Sequence, residues 1–341
     1  MTAGRHYDGF MDARKLLGAR LLVVTGKGGT GKTSVAAALA VAAAAKGHEV
    51  LLAEVEGRQG LARLFDLPAL AHEEAPVGER LSGLAVDPKA ALREYLDGAG
   101  VPVLGTLLDK AGLGDLVTAA APGLGDALLV GKIAQVARRG VYDLVVLDAP
   151  PSGRIVSFLG AAAGLAGLAR FGPVADQAGA VADLLTDPAL TQVVLTTLPE
   201  ALPVTEALQT AEELRSAGIN VGLAVANQVG DGALAEGGDR LPALAADPAP
   251  LRRAAQAAGL DLSDAALAAL VREGLGRERR LAAERSQLGR LREGLGAKAD
   301  LIELPVVPGG VTDPAGVLAM ARHLRRLGPR AGRRTATGAT A

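Results

Sequence analysis

The stretch Leu21-Leu22-Val23-Val24-Thr25-Gly26-Lys27-Gly28-Gly29-Thr30-Gly31-Lys32-Thr33-Ser34 decides the fold of this chain. Its apolar first part reads as a buried strand. An alanine-rich helix follows from about Lys32 to Lys46, stopped by Gly47. Val50 to Val55 then reads as the next strand. Strand, glycine turn, helix and strand form a βαβ unit, which predicts a parallel sheet. The turn itself satisfies G-x-x-x-x-G-K-[ST], in the strand-to-helix setting that the motif requires. Glycines let backbone amides approach phosphate oxygens without a Cβ in the way, and the helix start adds free amides and a positive dipole end. The pattern therefore predicts a polyphosphate grip from Gly28 to Ser34 (Gly28, Gly29, Thr30, Gly31, Lys32, Thr33, Ser34). Lys32 would reach the β and γ phosphates, and the Thr33 hydroxyl would take a Mg²⁺ position.

Working outward, further buried strands are expected at Leu144–Leu147, Gln192–Thr196, Val221–Val225 and Leu301–Leu304. Helical patterns lie between them, notably Pro203–Ser216 and Asp313–Leu327. The expected architecture is α/β, a mostly parallel sheet flanked by helices in three layers, with helical insertions. One domain is expected over about 18–328, with insertions at 86–138 and 235–297. Residues 1–17 would be an N-terminal extension and 329–341, rich in Gly, Arg, Thr and Ala, a disordered tail.

Composition narrows the chemistry. Of 341 residues, 49% are hydrophobic, enough for a core of Leu, Val and Ala. Lys plus Arg number 36 against 37 Asp plus Glu, which lacks the basic footprint of a dedicated nucleic-acid binder, so no nucleic-acid partner is expected. Aromatics are only 2%, so stacking platforms for bases are not expected either. There is no cysteine, which excludes disulfides, thiolate metal sites and cysteine nucleophiles. Met1–Arg20 has no apolar signal-like core, and the longest apolar run, Val35–Ala45, is too short to span a bilayer. A cytoplasmic, soluble protein is the expectation.

Other candidate site residues follow from strand ends. Leu144-Val145-Val146-Leu147-Asp148 is an apolar strand ending in a carboxylate, placed to support Mg²⁺. Ala149-Pro150-Pro151-Ser152-Gly153 then suits a switch loop in which the Gly153 amide senses the γ-phosphate. Glu54-Val55-Glu56-Gly57-Arg58-Gln59-Gly60 is the first switch by position. Hydrolysis needs a group that orients or deprotonates water, and Glu56 is the candidate. Glu54, two residues earlier, faces the same side but lies deeper and is the candidate structural residue. The carboxamide of Asn227 could read adenine's edge in a bidentate contact, and Pro305 could cover the other face of the base.

Lys27, directly after the first glycine, resembles the signature lysine of the deviant Walker A motif shared by nitrogenase iron proteins, partition and septum-site ATPases and arsenical-pump ATPases. Several further segments are similar to the ArsA family of arsenite-pump and tail-anchored-protein-targeting ATPases. These are Ala85–Leu96, Ala121–Ala127, Asp148–Gly153, Thr196–Glu200 with Glu206, and Val225–Gln228. The resemblance covers Leu21 to about Leu327 and implies an ATPase using ATP and Mg²⁺. It also implies that Lys27 reaches the partner subunit's nucleotide, that Asp148 and Gly153 belong to switch II, and that Asn227 contacts adenine. The family's first switch usually reads D-P-A-H, where Glu56-Gly57-Arg58-Gln59 stands here, a carboxylate one methylene longer. Without Cys, neither the zinc pair of the targeting members nor thiol-based arsenite activation is expected.

The function so implied is a Mg-dependent dimeric ATP switch, homodimer or heterodimer with a paralogous ATPase. Its helical insertion, with Val101–Leu108 and Ala127–Val130, would engage a hydrophobic client or membrane partner. Two alternatives stay open: a non-catalytic or partner-activated nucleotide-binding regulatory subunit, and a partition-type positioning ATPase with a basic C-terminal helix around Val317–Leu327.

Overall fold

The computed structural model of the chain describes residues 16, 18–55, 57, 59–98, 123–168, 173–230 and 240–324. Glu56, Val101–Leu108, the extension apart from Leu16, and the tail lie outside the described residues. In chain order the elements open with β1 (Leu21–Gly26), α1 (Lys32–Ala44), β2 (Val50–Glu54), α2 (Gly60–Leu64), β3 (Ala75–Gly78) and β4 (Leu81–Ala85). Next come α3 (Pro88–Gly98), α4 (Leu124–Arg139), β5 (Leu144–Asp148), α5 (Ser152–Leu168), α6 (Pro173–Thr186) and β6 (Thr191–Thr197). The series ends with α7 (Ala201–Ser216), β7 (Val221–Val229), α8 (Leu241–Ala246), α9 (Ala249–Ala257), α10 (Asp264–Leu295), β8 (Asp300–Pro305) and α11 (Pro314–Leu324).

Alternating side chains make the layers. Leu21 and Val23 of β1 join one buried cluster with Leu51, Val145 and residues of α4, α5 and α7. Leu22 and Val24 join the other, with Leu52, Val146 and residues of α1 and α11. A strand buried on both faces carries no polar alternation, which is why β1 reads as a continuous apolar run. The small alanines of α1, nearly all buried, let the helix lie close between the sheet and α11. The sheet order is β3-β4-β2-β5-β1-β6-β7-β8, parallel throughout except for the β3–β4 pair. Chain order reverses around β1, whose neighbours are β5 and β6, and the crevice at their C-terminal ends is where such sheets bind ligands.

Strands β3 and β4 have no counterpart in the sequence reading. Leu81-Ser82-Gly83-Leu84-Ala85 breaks its apolar pattern with Ser and Gly, so no period shows. Only the hairpin explains Gly83, where a Cβ would lie 2.6 Å from Val77 Cγ2. Pro76 is tolerated because β3 is an edge strand, and the register shifts beside it. Between β7 and β8 the described chain is helical, ending in the 32-residue α10, which opens on a Ser263 cap.

A partly buried polar cluster ties α3 and α4 to the loop before β3. Lys132 of α4 donates to both Glu94 oxygens at 2.8 and 2.6 Å, and His72 Nε2 lies 3.4 Å from Glu94 Oε1. His72 Nδ1 accepts from the Asp87 amide at 3.0 Å, so the ring is neutral with its proton on Nε2. Burial pushes the His72 pKa below its ordinary 6.5, against the pull of Glu94. A depressed imidazole adds stability that is complete above the unfolded value and erodes as pH falls below it towards the folded value. Thermal melts at about pH 7.5 and 5.5 are expected to show a fall in Tm that His72→Gln reduces. Part of the slope should survive, since burial lowers the pKa of His48 too.

Candidate nucleotide site

The glycine turn at the end of β1 is built for close approach. Gly26 has φ 154°, and a Cβ there would sit 2.0 Å from the Thr196 carbonyl oxygen of β6. Gly31, at φ 89°, begins α1 in the left-handed region, with no side chain capping the helix. The first amides of α1 are therefore not capped by a side chain, the arrangement that holds phosphate at helix N-termini. Gly28 and Gly29 are exposed, and a Cβ on either would meet open space. Thr30 turns inward instead: it is 1% exposed and its hydroxyl donates to the Lys27 carbonyl at 2.8 Å, stapling the loop. Lys32, Thr33 and Ser34 follow, half-buried, in the first turn of α1.

Two of the residues assigned to the metal meet directly. Thr33 Oγ1 donates to Asp148 Oδ2 at 2.6 Å, bringing the start of α1 onto the end of β5. Register explains it, because Val24 and Glu54 are the strand partners of Asp148. Along β2 and β5, Leu52 and Val146 belong to the cluster that faces α1, and Glu54 and Asp148 continue those rows. Glu54 is 4% exposed; its Oε2 accepts from the Leu61 amide at 3.1 Å, and Oε1 has no hydrogen-bond partner among the described residues. A hydroxyl and two carboxylates are hard oxygen donors of the kind Mg²⁺ takes, with phosphate oxygens and waters completing its shell. This donor set and the orphaned Oε1 fit the cation.

The other predicted residues surround this centre. The second switch starts pinned: Ala149 N donates to Val24 O at 3.0 Å and Thr25 Oγ1 to Pro150 O at 2.7 Å. Gly153 then lies exposed in the first turn of α5. Asn227 does not close β7 but lies within it, since the strand runs on to Val229. It is 3% exposed and packs on the glycine turn, its Nδ2 donating to Thr30 O at 3.0 Å and its Oδ1 accepting from Gln228 N at 3.0 Å. Each group keeps a second hydrogen or lone pair with which a base edge could pair. Pro305 ends β8 as the partner of Val229. Lys27 Nζ lies 2.5 Å from Glu206 Oε1 on α7.

Comparison with known proteins bears on this geometry. Residues 19–170 match the family model described as anion-transporting ATPase. ATPase BagA of Mycobacterium tuberculosis is 39% identical over 316 residues, covering 87% of this chain and 90% of that one. The chain belongs to the ArsA family. Among more distant ArsA-type relatives, the arsenical pump-driving ATPase of Acidiphilium multivorum is 29% identical over 61% of this chain and 39% of its own. ATPase GET3B of Arabidopsis thaliana is 27% identical over 60% of this chain and 62% of its own. The protein is an ATPase, and its activity is ATP-dependent.

Within this ArsA fold, the sequence reading missed two contacts that need tertiary structure. Glu206 was noticed as part of a family segment, but not as the residue that meets Lys27. Glu54, a structural candidate by its depth on the strand, emerges beside the Thr33–Asp148 pair. A signal existed for Glu54: a carboxylate at the buried end of an otherwise apolar strand is rarely idle.

Proposed function

We propose that this chain is a Mg²⁺-dependent ATP switch that works as a dimer and couples its nucleotide state to a client through its helical segments. The 2.6 Å contact between Thr33 and Asp148, under a helix start that no side chain caps, is the observation that carries the reading. In this reading Gly28 to Ser34 surround the phosphates, Lys32 balances their charge, and Thr33 and Asp148 hold the metal, Asp148 through water. Bound Mg²⁺ supplies charge neutralisation across the phosphoanhydride. The Gly153 amide senses the γ-phosphate, and Asn227 and Pro305 take the base. Glu56, outside the described residues, orients the attacking water.

Lys27 supplies a cation in trans. Its bond to Glu206 is a half-exposed ion pair, and such pairs contribute only about 0–1 kcal/mol, so release for a partner's phosphates costs little. Client coupling is assigned to α3, α4 and the segment between them. There Ala91, Leu92 and Leu128 form a small apolar cluster separate from the two main ones, with Tyr95, Leu96 and Leu124 against it. No helix among the described residues is long and apolar enough to cross a membrane.

Calorimetric titration with Mg-ATP, alongside light scattering of the same samples, tests the reading. Heat that Lys32→Ala abolishes, and a doubling of mass with ATP relative to the free chain, are the expected results. Heat without any change of mass would remove the dimer, and no heat would remove the site.

A further inference from the structure

Glu54 is explained only in part by the site as described. One of its oxygens, Oε2, caps α2 at the Leu61 amide, whereas Oε1 is buried with no hydrogen-bond partner among the described residues. A carboxylate 4% exposed and half satisfied is costly unless a ligand completes it. Its surroundings indicate the charge of that ligand. Asp148 is its strand partner, so two carboxylates stand side by side at the end of the sheet. A Cβ on Gly60 would lie 3.7 Å from Glu54 Oε2 and 3.8 Å from Thr33 Oγ1, so the carboxylate and the hydroxyl that bonds Asp148 border the same spot beside Gly60. Adjacent carboxylates repel unless a cation joins them.

We propose that Glu54 is a positioning residue for the divalent cation of the nucleotide complex, with Oε1 accepting from a water of the cation's hydration shell while Oε2 holds the first turn of α2. The proposal rests on the Mg-nucleotide reading above and extends it. A cation bridged in this way reports its presence to α2, the helix that begins directly after the first switch. The phosphate site and that switch are thereby linked through one side chain, independently of Glu56.

Manganese(II) is the probe, counted by electron paramagnetic resonance in the ADP complex of the full chain and of Glu54→Gln. Glutamine keeps an acceptor for the Leu61 amide but loses the charge. Outer-shell partners of a metal typically change its affinity 10–100-fold, so the variant should bind Mn²⁺ at least about tenfold more weakly. Its ADP affinity in EDTA should be unchanged. Equal Mn²⁺ affinities would overturn the proposal. A measurement on the unsubstituted chain decides the matter should the variant fold poorly: Mn²⁺ should slow hydrogen exchange at the Leu61 amide of the ADP complex by about tenfold, as fixing Oε1 fixes the cap. An exchange rate indifferent to Mn²⁺ would overturn it. An unsubstituted chain that binds no ADP even in EDTA would sink the nucleotide site as well, a result distinct from the other two.

Discussion

A Gly31→Ala chain is expected to fold and yet to bind Mg-ATP about 30- to 700-fold more weakly than the native protein. Position 31 has φ 89°, a conformation that costs a residue with a Cβ roughly 1–3 kcal/mol. The added Cβ would also stand 2.4 Å from Asn227 Nδ2, so the Asn227–Thr30 bond must yield, a further loss of about 1 kcal/mol. In the free protein the loop can relax and shed most of that strain, so stability changes little. The nucleotide must force the loop back, and the strain is then charged against affinity. Together these terms reach about 2–4 kcal/mol, and each 1.4 kcal/mol is tenfold. Gly47→Ala is the control: at φ 96° with open space around it, it should lower Tm slightly and leave affinity alone. Calorimetry on both variants checks the result, and equal affinities for Gly31→Ala and the native chain would dissociate the loop from binding.

The second large effect concerns Lys27. Removing a cation supplied in trans to phosphoryl transfer costs on the order of a thousandfold in turnover, so Lys27→Ala should be nearly inactive while binding ATP normally. Lys32→Ala should fail for a different reason, through loss of the phosphate contact itself. Mixing the two inactive chains distinguishes a partner's lysine from a subunit's own. In a mixed dimer the Lys27→Ala subunit keeps Lys32 and receives Lys27 from its neighbour, which completes one site. Half of randomly paired dimers are mixed, so activity should return to about a quarter of the native rate per chain if the lysine acts across the interface. A mixture that light scattering shows to pair and that is still as silent as its components would place Lys27's role within its own subunit. The Lys27–Glu206 bond adds a detail, because Glu206→Gln frees the lysine and should leave turnover intact or raise it.

Several parts of this molecule were legible because one local cause produced them. The turn after β1 combines glycines that need left-handed or crowded backbone with a lysine and a threonine in fixed spacing, and no distant residue is needed to recognise it. Asp148 was legible as the polar end of an apolar strand. β3 and β4 were not, because a short edge hairpin broken by Pro76, Ser82 and Gly83 carries no hydrophobic period; its pairing, not its composition, makes it a strand. The extension of β7 past Ala226 was hidden because Asn227 and Gln228 form an irregularity, with Gln228 at φ 58°, and the strand resumes only where Val229 pairs with Pro305.

The sequence alone determined that this chain is an α/β protein with a G-x-x-x-x-G-K-[ST] turn between its first strand and helix, since backbone sterics and strand periodicity act over a few neighbouring residues. Only the tertiary structure decided what the carboxylates and amides around that loop do. Sheet register set Glu54 against Asp148, parallel pairing brought Asn227 under Thr30 from 197 positions away, and α7 delivered Glu206 to Lys27. Such contacts depend on which strands lie side by side, and strand order is set by packing of the whole core rather than by any local run of residues.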